Sequence, residues 1–196
     1  MKKDVLESGA IYHFYNRGNN KENIFIEERN YYYFLQLVKK YLLPIADIYA
    51  YCLLKNHFHL AFKIKEKEDL PEKFTDKIHL PFSNLFNTYT KSVNKAYDRT
   101  GSLFQEHPQR NRVETEEYLR QLIIYIHLNP LKHKFTDDFS TYKHSSYLTY
   151  LSEKDTNIKR TYIFDLFGGK ENFIFHHNEN QIRFEGLIDE IDKFDF

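Results

Sequence analysis

Two groups of residues have the types and spacing that could do chemistry. The first is His57-Phe58-His59. On a β-strand, alternate side chains point to opposite faces, so both imidazoles would share one face and Phe58 would take the other. Two imidazoles side by side are a natural metal pair. Taken alone, the pair reads more simply as two of the chain's 10 histidines falling together on a solvent-facing strand. The second group is Gln121, Tyr125 and Asn129, which recur every four residues. On a helix they form one polar face looking outward, while Leu122 and Ile126 form a stripe suited to the core. Taken alone, this trio reads as an exposed face on a helix that Asn129 and Pro130 bring to an end.

These residues need elements to hold them. Residues 10–16 (AIYHFYN) are rich in β-formers and run into turn chemistry at Asn16, Arg17, Gly18, Asn19 and Asn20. From Glu28 to Leu43 apolar residues recur at three- and four-residue spacing, and Pro44 stops that helix. Residues 45–54 and 57–64 read as two strands joined tightly through Lys55 and Asn56. After a charged loop, a long helix is predicted over 81–97, with a short strand on either side of Pro108. A helix over 114–128 follows, with Thr115 as its cap. A short helix is predicted over 142–151, Gly168 and Gly169 break the chain, and the final stretch shows no clear core. The order strand, helix, strand, strand, helix, strand, helix predicts an α+β fold. It is the ferredoxin-like split βαβ arrangement, an antiparallel sheet with helices on one face and an added C-terminal helix bearing the tyrosine. The expected organisation is one domain over 1–150 and a C-terminal extension over 151–196.

Composition narrows the partners. Lys plus Arg number 28 and Asp plus Glu 28, so the net charge is zero and no polycationic tail announces nucleic acid. Any DNA contact must come from a local patch, and one runs through Lys91, Lys95, Arg99, Arg110 and Arg112. The single cysteine, Cys52, excludes an internal disulfide framework and a cysteine-based zinc site. No apolar run approaches the ~20 residues that span a bilayer. The start, MKKDVLESGA, lacks the apolar stretch of a signal peptide. A cytoplasmic protein without a membrane partner is expected.

The combination of blocks is more specific than either group alone. YHFYNRGNNKENIF, AYCLLKNHFHLAF, GSLFQE and YLRQLIIYIHLNPLKH occur in this order. Together they closely resemble the single-tyrosine HUH transposases, in particular the REP-associated tyrosine transposases. HUH denotes histidine, hydrophobe, histidine, here His57-Phe58-His59. The resemblance covers roughly residues 10–150, with an echo of the family's tail in YIFDLFGG.

The resemblance implies that Tyr125 is a nucleophile and that His57, His59 and Asn129 hold a divalent metal, Mg²⁺ or Mn²⁺. It implies that Asn16 and Arg17, in the NRG turn, meet DNA. Lys91, Lys95, Arg110 and Arg112 are expected to add to a positive groove beside the site. After GSLFQ the chain departs from the basic, aromatic continuation expected of the family and reads EHPQRNR. The implied reaction is cleavage and rejoining of single-stranded DNA, folded into a hairpin near the cut, through a 5′-phosphotyrosine. The implied assembly is a homodimer. Two other readings stand beside it: a domesticated hairpin-binding protein without turnover, and an HUH relaxase or replication-type nickase.

Overall fold

The computed structural model describes residues 5–182; the expected extension beyond 182 lies outside them. Four strands, β1 (Ile11–Arg17), β2 (Ala46–Leu54), β3 (His57–Ile64) and β4 (Gln109–Val113), form one sheet in the order β2-β3-β1-β4. All neighbouring pairs are antiparallel. Helices α1 (Glu28–Tyr41) and α2 (His79–Ala96) make the two crossovers, each skipping over one strand. This is the split βαβ arrangement that the order of elements predicts.

Alternation decides which face each residue serves. Phe14 and Phe58 point to one side, where Phe14 meets Phe82 and Phe86 of α2 and Phe58 meets Phe34 of α1. Their neighbours His13, His57 and His59 therefore point to the other side. That side is covered by α3 (Glu116–Lys132), as the contacts of Tyr125 with His13 and His59 show.

Helix α3 differs from its sequence reading in two ways. It starts as expected, with the Thr115 side chain accepting from the Tyr118 amide. It does not stop at Asn129-Pro130 but runs on to Lys132 with Pro130 inside. The last turn survives because the carbonyls on either side of the proline still find donors: His133 N–H bonds to Asn129 and Phe135 N–H to Pro130. Nor does Tyr125 look outward. Residues from Leu122 to Pro130 are all buried, because α3 is covered on both sides.

The cover on the second side comes from the stretch in which the sequence shows no clear core. Helices α4 (Tyr147–Leu151), α5 (Arg160–Phe167) and α6 (Lys170–Ile182) bury Tyr147, Tyr150, Ile163, Phe167 and Phe173 in the same apolar cluster as the sheet. Gly168, at φ 73°, ends α5 in the left-handed conformation, and α6 starts at Lys170. The predicted helix over 142–151 is confined to α4. Only the segment after Pro108 forms a strand; before it, Phe104 makes a single bridge to Gly18.

A buried polar chain ties these layers together. The carbonyl of Phe173 can only accept, so His177 Nδ1 donates to it at 2.7 Å. His177 Nε2 must then accept from His127 Nδ1 at 2.8 Å, and His127 Nε2 faces the Ser146 hydroxyl at 2.7 Å. Ser146 in turn accepts from the Tyr51 amide on edge strand β2. Both imidazoles are fully buried and neutral. Burial pushes His177 down to about 3, and burial, with the repulsion that two protonated rings would feel, pushes His127 well below the usual histidine value.

A histidine whose folded value is depressed stabilises the fold above the unfolded value of ~6.5, and that stability is lost as pH falls below it. Each such histidine contributes a slope of up to ~1.4 kcal/mol per pH unit. The urea midpoint is expected to fall steadily from pH 6.5 to 4. His177→Gln should lower stability at pH 8 but flatten that fall; an unaltered slope would remove this pair from the acid response.

Candidate active site

The candidate residues meet at the interface between the sheet and α3. His57 and His59 project from β3, an interior strand, with ring centroids 5.3 Å apart and nearly perpendicular planes. Asn129, one helical turn beyond Tyr125, brings its Oδ1 to 3.4 Å from His57 Nε2. The Tyr125 ring stands edge-on to His59 at 5.7 Å. All of these groups are on one chain. Their surroundings are closed, with Tyr125 5%, His57 7% and His59 and Asn129 0% exposed. The strand is therefore a buried one and not the solvent-facing strand that the histidine pair suggests when taken alone, and its neighbours on this face are polar.

Protonation follows from the partners. Asn56 Oδ1 can only accept, so His57 Nδ1, 2.7 Å away, carries the proton and Nε2 keeps its lone pair. With the Asn129 amide oriented as it is, two lone-pair atoms face each other at 3.4 Å. Such an arrangement repels unless something positive lies between them. The buried atoms His59 Nε2 and Asn129 Nδ2 have no hydrogen-bond partner among the described residues. Burial, and then the charges of His13, His57, His133 and Lys132, push His59 well below the usual histidine value, so it stays neutral and able to ligate. Among the described residues no three His, Cys, Asp or Glu side chains group as a metal site. The fitting donor set is two imidazoles and one amide oxygen.

Other residues join the site that spacing alone does not mark. Lys132 places its ammonium 3.5 Å from the Tyr125 hydroxyl and 5.1 Å from the ring centroid. The His133 ring lies 4.5 Å from that of His57. His13 Nε2 is 3.0 Å from His59 Nδ1, and Tyr15 stacks on His13. The signals were present but weak. His13, Tyr15 and Arg17 alternate on β1, and Lys132 follows Tyr125 by seven residues, two turns of helix. Seeing them required knowing that β1 pairs with β3 and that α3 continues past Pro130.

The candidate DNA-contacting residues do not gather in one groove. Arg17 lies opposite His57 in the β1–β3 register and shares its face. Arg110 and Arg112 pair with Phe14 and Tyr12, which puts them on the α1–α2 side. There Arg112 bridges to Glu7 at 2.6 Å, and Arg110 borders a surface cavity with Leu6 and His79. Lys91 and Lys95 are exposed on α2, on that same side of the sheet, and Arg99 is paired with Glu22. The physical reason is the strand period of two. Residues 110 and 112 take the face opposite to His57 and His59.

Asn16 is 1% exposed and holds the strand end together. Its Nδ2 donates to the Gln105 carbonyl and its Oδ1 accepts from the Arg17 amide. Gly18 is needed there for room, since a Cβ would come within 2.0 Å of the Glu22 carbonyl oxygen.

No protein-family model matches the chain, and no curated protein matches it in sequence. Among solved structures it is similar to a REP-associated tyrosine transposase bound to a REP hairpin, with a TM-score of 0.61. The match has 13% identity and covers 78% of this chain and 86% of the other. At that identity the likeness is one of fold. No helix among the described residues is long and apolar enough to cross a membrane.

Proposed function

We propose that this chain is a single-tyrosine DNA transferase that cleaves and rejoins single-stranded DNA carrying a hairpin. The observation that carries the reading is the meeting of Tyr125, His57, His59 and Asn129 in one buried polar cluster, although β3 and α3 are far apart in sequence. The fold neighbour, solved with a REP hairpin, supports the choice of substrate.

In this reading the Tyr125 oxygen bonds to phosphorus while the P–O3′ bond breaks. The phenol gives up its proton, the departing 3′ oxygen takes one up, and a 5′-phosphotyrosine remains. Because the ester is exchanged and not hydrolysed, rejoining needs no ATP. A tyrosine hydroxyl titrates near 10 in isolation, so attack at neutral pH needs a cation beside the developing phenolate. Lys132 stands there. Arg17, on the same face as His57, is placed to hold a backbone phosphate.

His57 Nε2, His59 Nε2 and Asn129 Oδ1 are the atoms that would hold Mg²⁺ or Mn²⁺, with Mn²⁺ favoured by the imidazoles. Such an ion neutralises and polarises the phosphate when bound. Any contact that Lys91, Lys95, Arg110 or Arg112 makes with DNA is with a part away from the scissile phosphate. A homodimer is the assembly that this reading expects.

One observation favours a second reading, a hairpin-binding protein without turnover: Tyr125 is almost closed off from solvent. The test is incubation of the protein with hairpin-bearing single strands from the DNA flanking its gene, with Mn²⁺ or with EDTA. A covalent protein–DNA adduct is expected with Mn²⁺ only, and joined strands among the products would separate a transferase from a nickase. Tight binding without adduct would favour the second reading.

Lys132 gives a further check. Lys132→Ala should slow adduct formation about tenfold at pH 7.5, which is ~1.4 kcal/mol of barrier, while Lys132→Arg keeps most of the rate. The deficit should shrink as pH rises towards the ordinary phenol value of ~10, because deprotonation then depends less on the neighbouring cation. A deficit independent of pH would mean that Lys132 does not act on the phenol.

A further inference from the structure

We infer that His13 is a positioning residue for the metal-ligand His59, an inference that rests on the reading of His59 as a ligand. The two imidazoles are fully buried, on adjacent strands β1 and β3, with His13 Nε2 at 3.0 Å from His59 Nδ1. One nitrogen of this pair must donate and the other accept. If His13 donated, neutral His59 would carry its own proton on Nε2. That N–H would then occupy the atom through which His59 is read as a ligand, so that reading requires the reverse arrangement, with His59 Nδ1 donating to His13 Nε2. If His59 Nδ1 donates, Nε2 keeps a lone pair on the atom the site needs. His13 thereby selects the tautomer of His59, and the bond fixes the ring plane.

His57 has the same arrangement from a different source. Asn56 Oδ1 accepts from its Nδ1, which leaves the lone pair on Nε2, the atom that faces Asn129 Oδ1. The two ligands thus each have a dedicated acceptor behind them, one an amide and the other an imidazole. Partners of this kind orient a ligand and raise its basicity, and losing one costs about 10–100-fold in metal affinity. His13 is itself held in place, stacked on Tyr15 at 4.6 Å and edge-on to Tyr125 at 6.0 Å. It therefore also couples the metal-binding face to the nucleophile's ring.

The test uses the full chain without DNA. Long-range ¹H–¹⁵N spectra of the metal-free protein should show His59 protonated on Nδ1, the tautomer that a free imidazole disfavours. His13→Leu, which keeps the bulk and removes the acceptor, should shift His59 to the Nε2-protonated form. It should also weaken Mn²⁺ binding, followed by electron paramagnetic resonance, about 10–100-fold. His13→Gln, which places an amide oxygen near the lost Nε2, should restore most of the affinity. His59 found protonated on Nε2 in the unaltered protein would overturn the inference, as would equal Mn²⁺ affinity in His13→Leu. If His13→Leu fails to fold, the tautomer in the unaltered protein and the affinity of His13→Gln still decide. Normal Mn²⁺ binding with no adduct on hairpin DNA would sink the transferase reading and leave this one standing.

Discussion

Tyr125→Phe is expected to abolish covalent adduct formation, by on the order of 10⁴-fold or more, while leaving hairpin binding intact. Removing a nucleophile from a concerted set costs losses of that size. The substitution deletes one hydroxyl, which the Lys132 ammonium approaches at 3.5 Å. Stability should therefore change by no more than about 1 kcal/mol. The ring, which packs edge-on to His13 and His59, is kept.

Tyr118 is the natural control, seven residues earlier and roughly 10 Å along the helix axis. Among the described residues its hydroxyl has no hydrogen-bond partner, and burial raises its pKa, which makes the phenolate harder to form. Tyr118→Phe should keep the adduct. Gel-shift and adduct assays on the two variants side by side check the prediction, and adduct from Tyr125→Phe at the unaltered level would show the nucleophile to be misassigned.

Loss of the imidazole pair should be nearly as severe. His57→Ala and His59→Ala are each expected to weaken Mn²⁺ binding by more than about 100-fold, since even an outer partner of a ligand is worth 10–100-fold. Adduct should fall with metal occupancy, and excess Mn²⁺ should recover part of it in His57→Ala. Folding should not collapse, because both histidines project from the face of β3 opposite to the Phe14–Phe58 aromatic core. Circular dichroism with Mn²⁺ titration reads both effects. Unchanged Mn²⁺ affinity in both variants would place the metal elsewhere.

The sequence was most legible where period and face coincide. The pairing of His57 with His59 and the opposite direction of Phe58 follow from strand alternation, and the structure has them so. The elements of the sheet and its two crossover helices come in the predicted order because each has a clean period bounded by turn residues or proline. Legibility failed where tertiary packing overrides a local rule. Asn129-Pro130 is a stop signal by itself, yet α3 continues because the carbonyls around the proline still find donors. Gln121, Tyr125 and Asn129 look like an exposed face until α3 is known to lie on a sheet face that is itself polar.

The basic patch failed for a geometric reason. Residues close in sequence, such as Arg110 and Arg112, are on the far side of the sheet from the histidines. The polar residues of α4–α6 concealed a core because their apolar contribution is spread over a few aromatics, among them Phe173, and the neutral His177.

The central claim is that Tyr125 attacks a phosphodiester beside a cation held by His57, His59 and Asn129. Peptide mapping by mass spectrometry of the protein trapped on hairpin-bearing single-stranded DNA tests it most directly. The account predicts a Mn²⁺-dependent phosphotyrosine adduct on Tyr125, absent when EDTA replaces the metal. An adduct on another residue, or one that forms equally in EDTA, would contradict it.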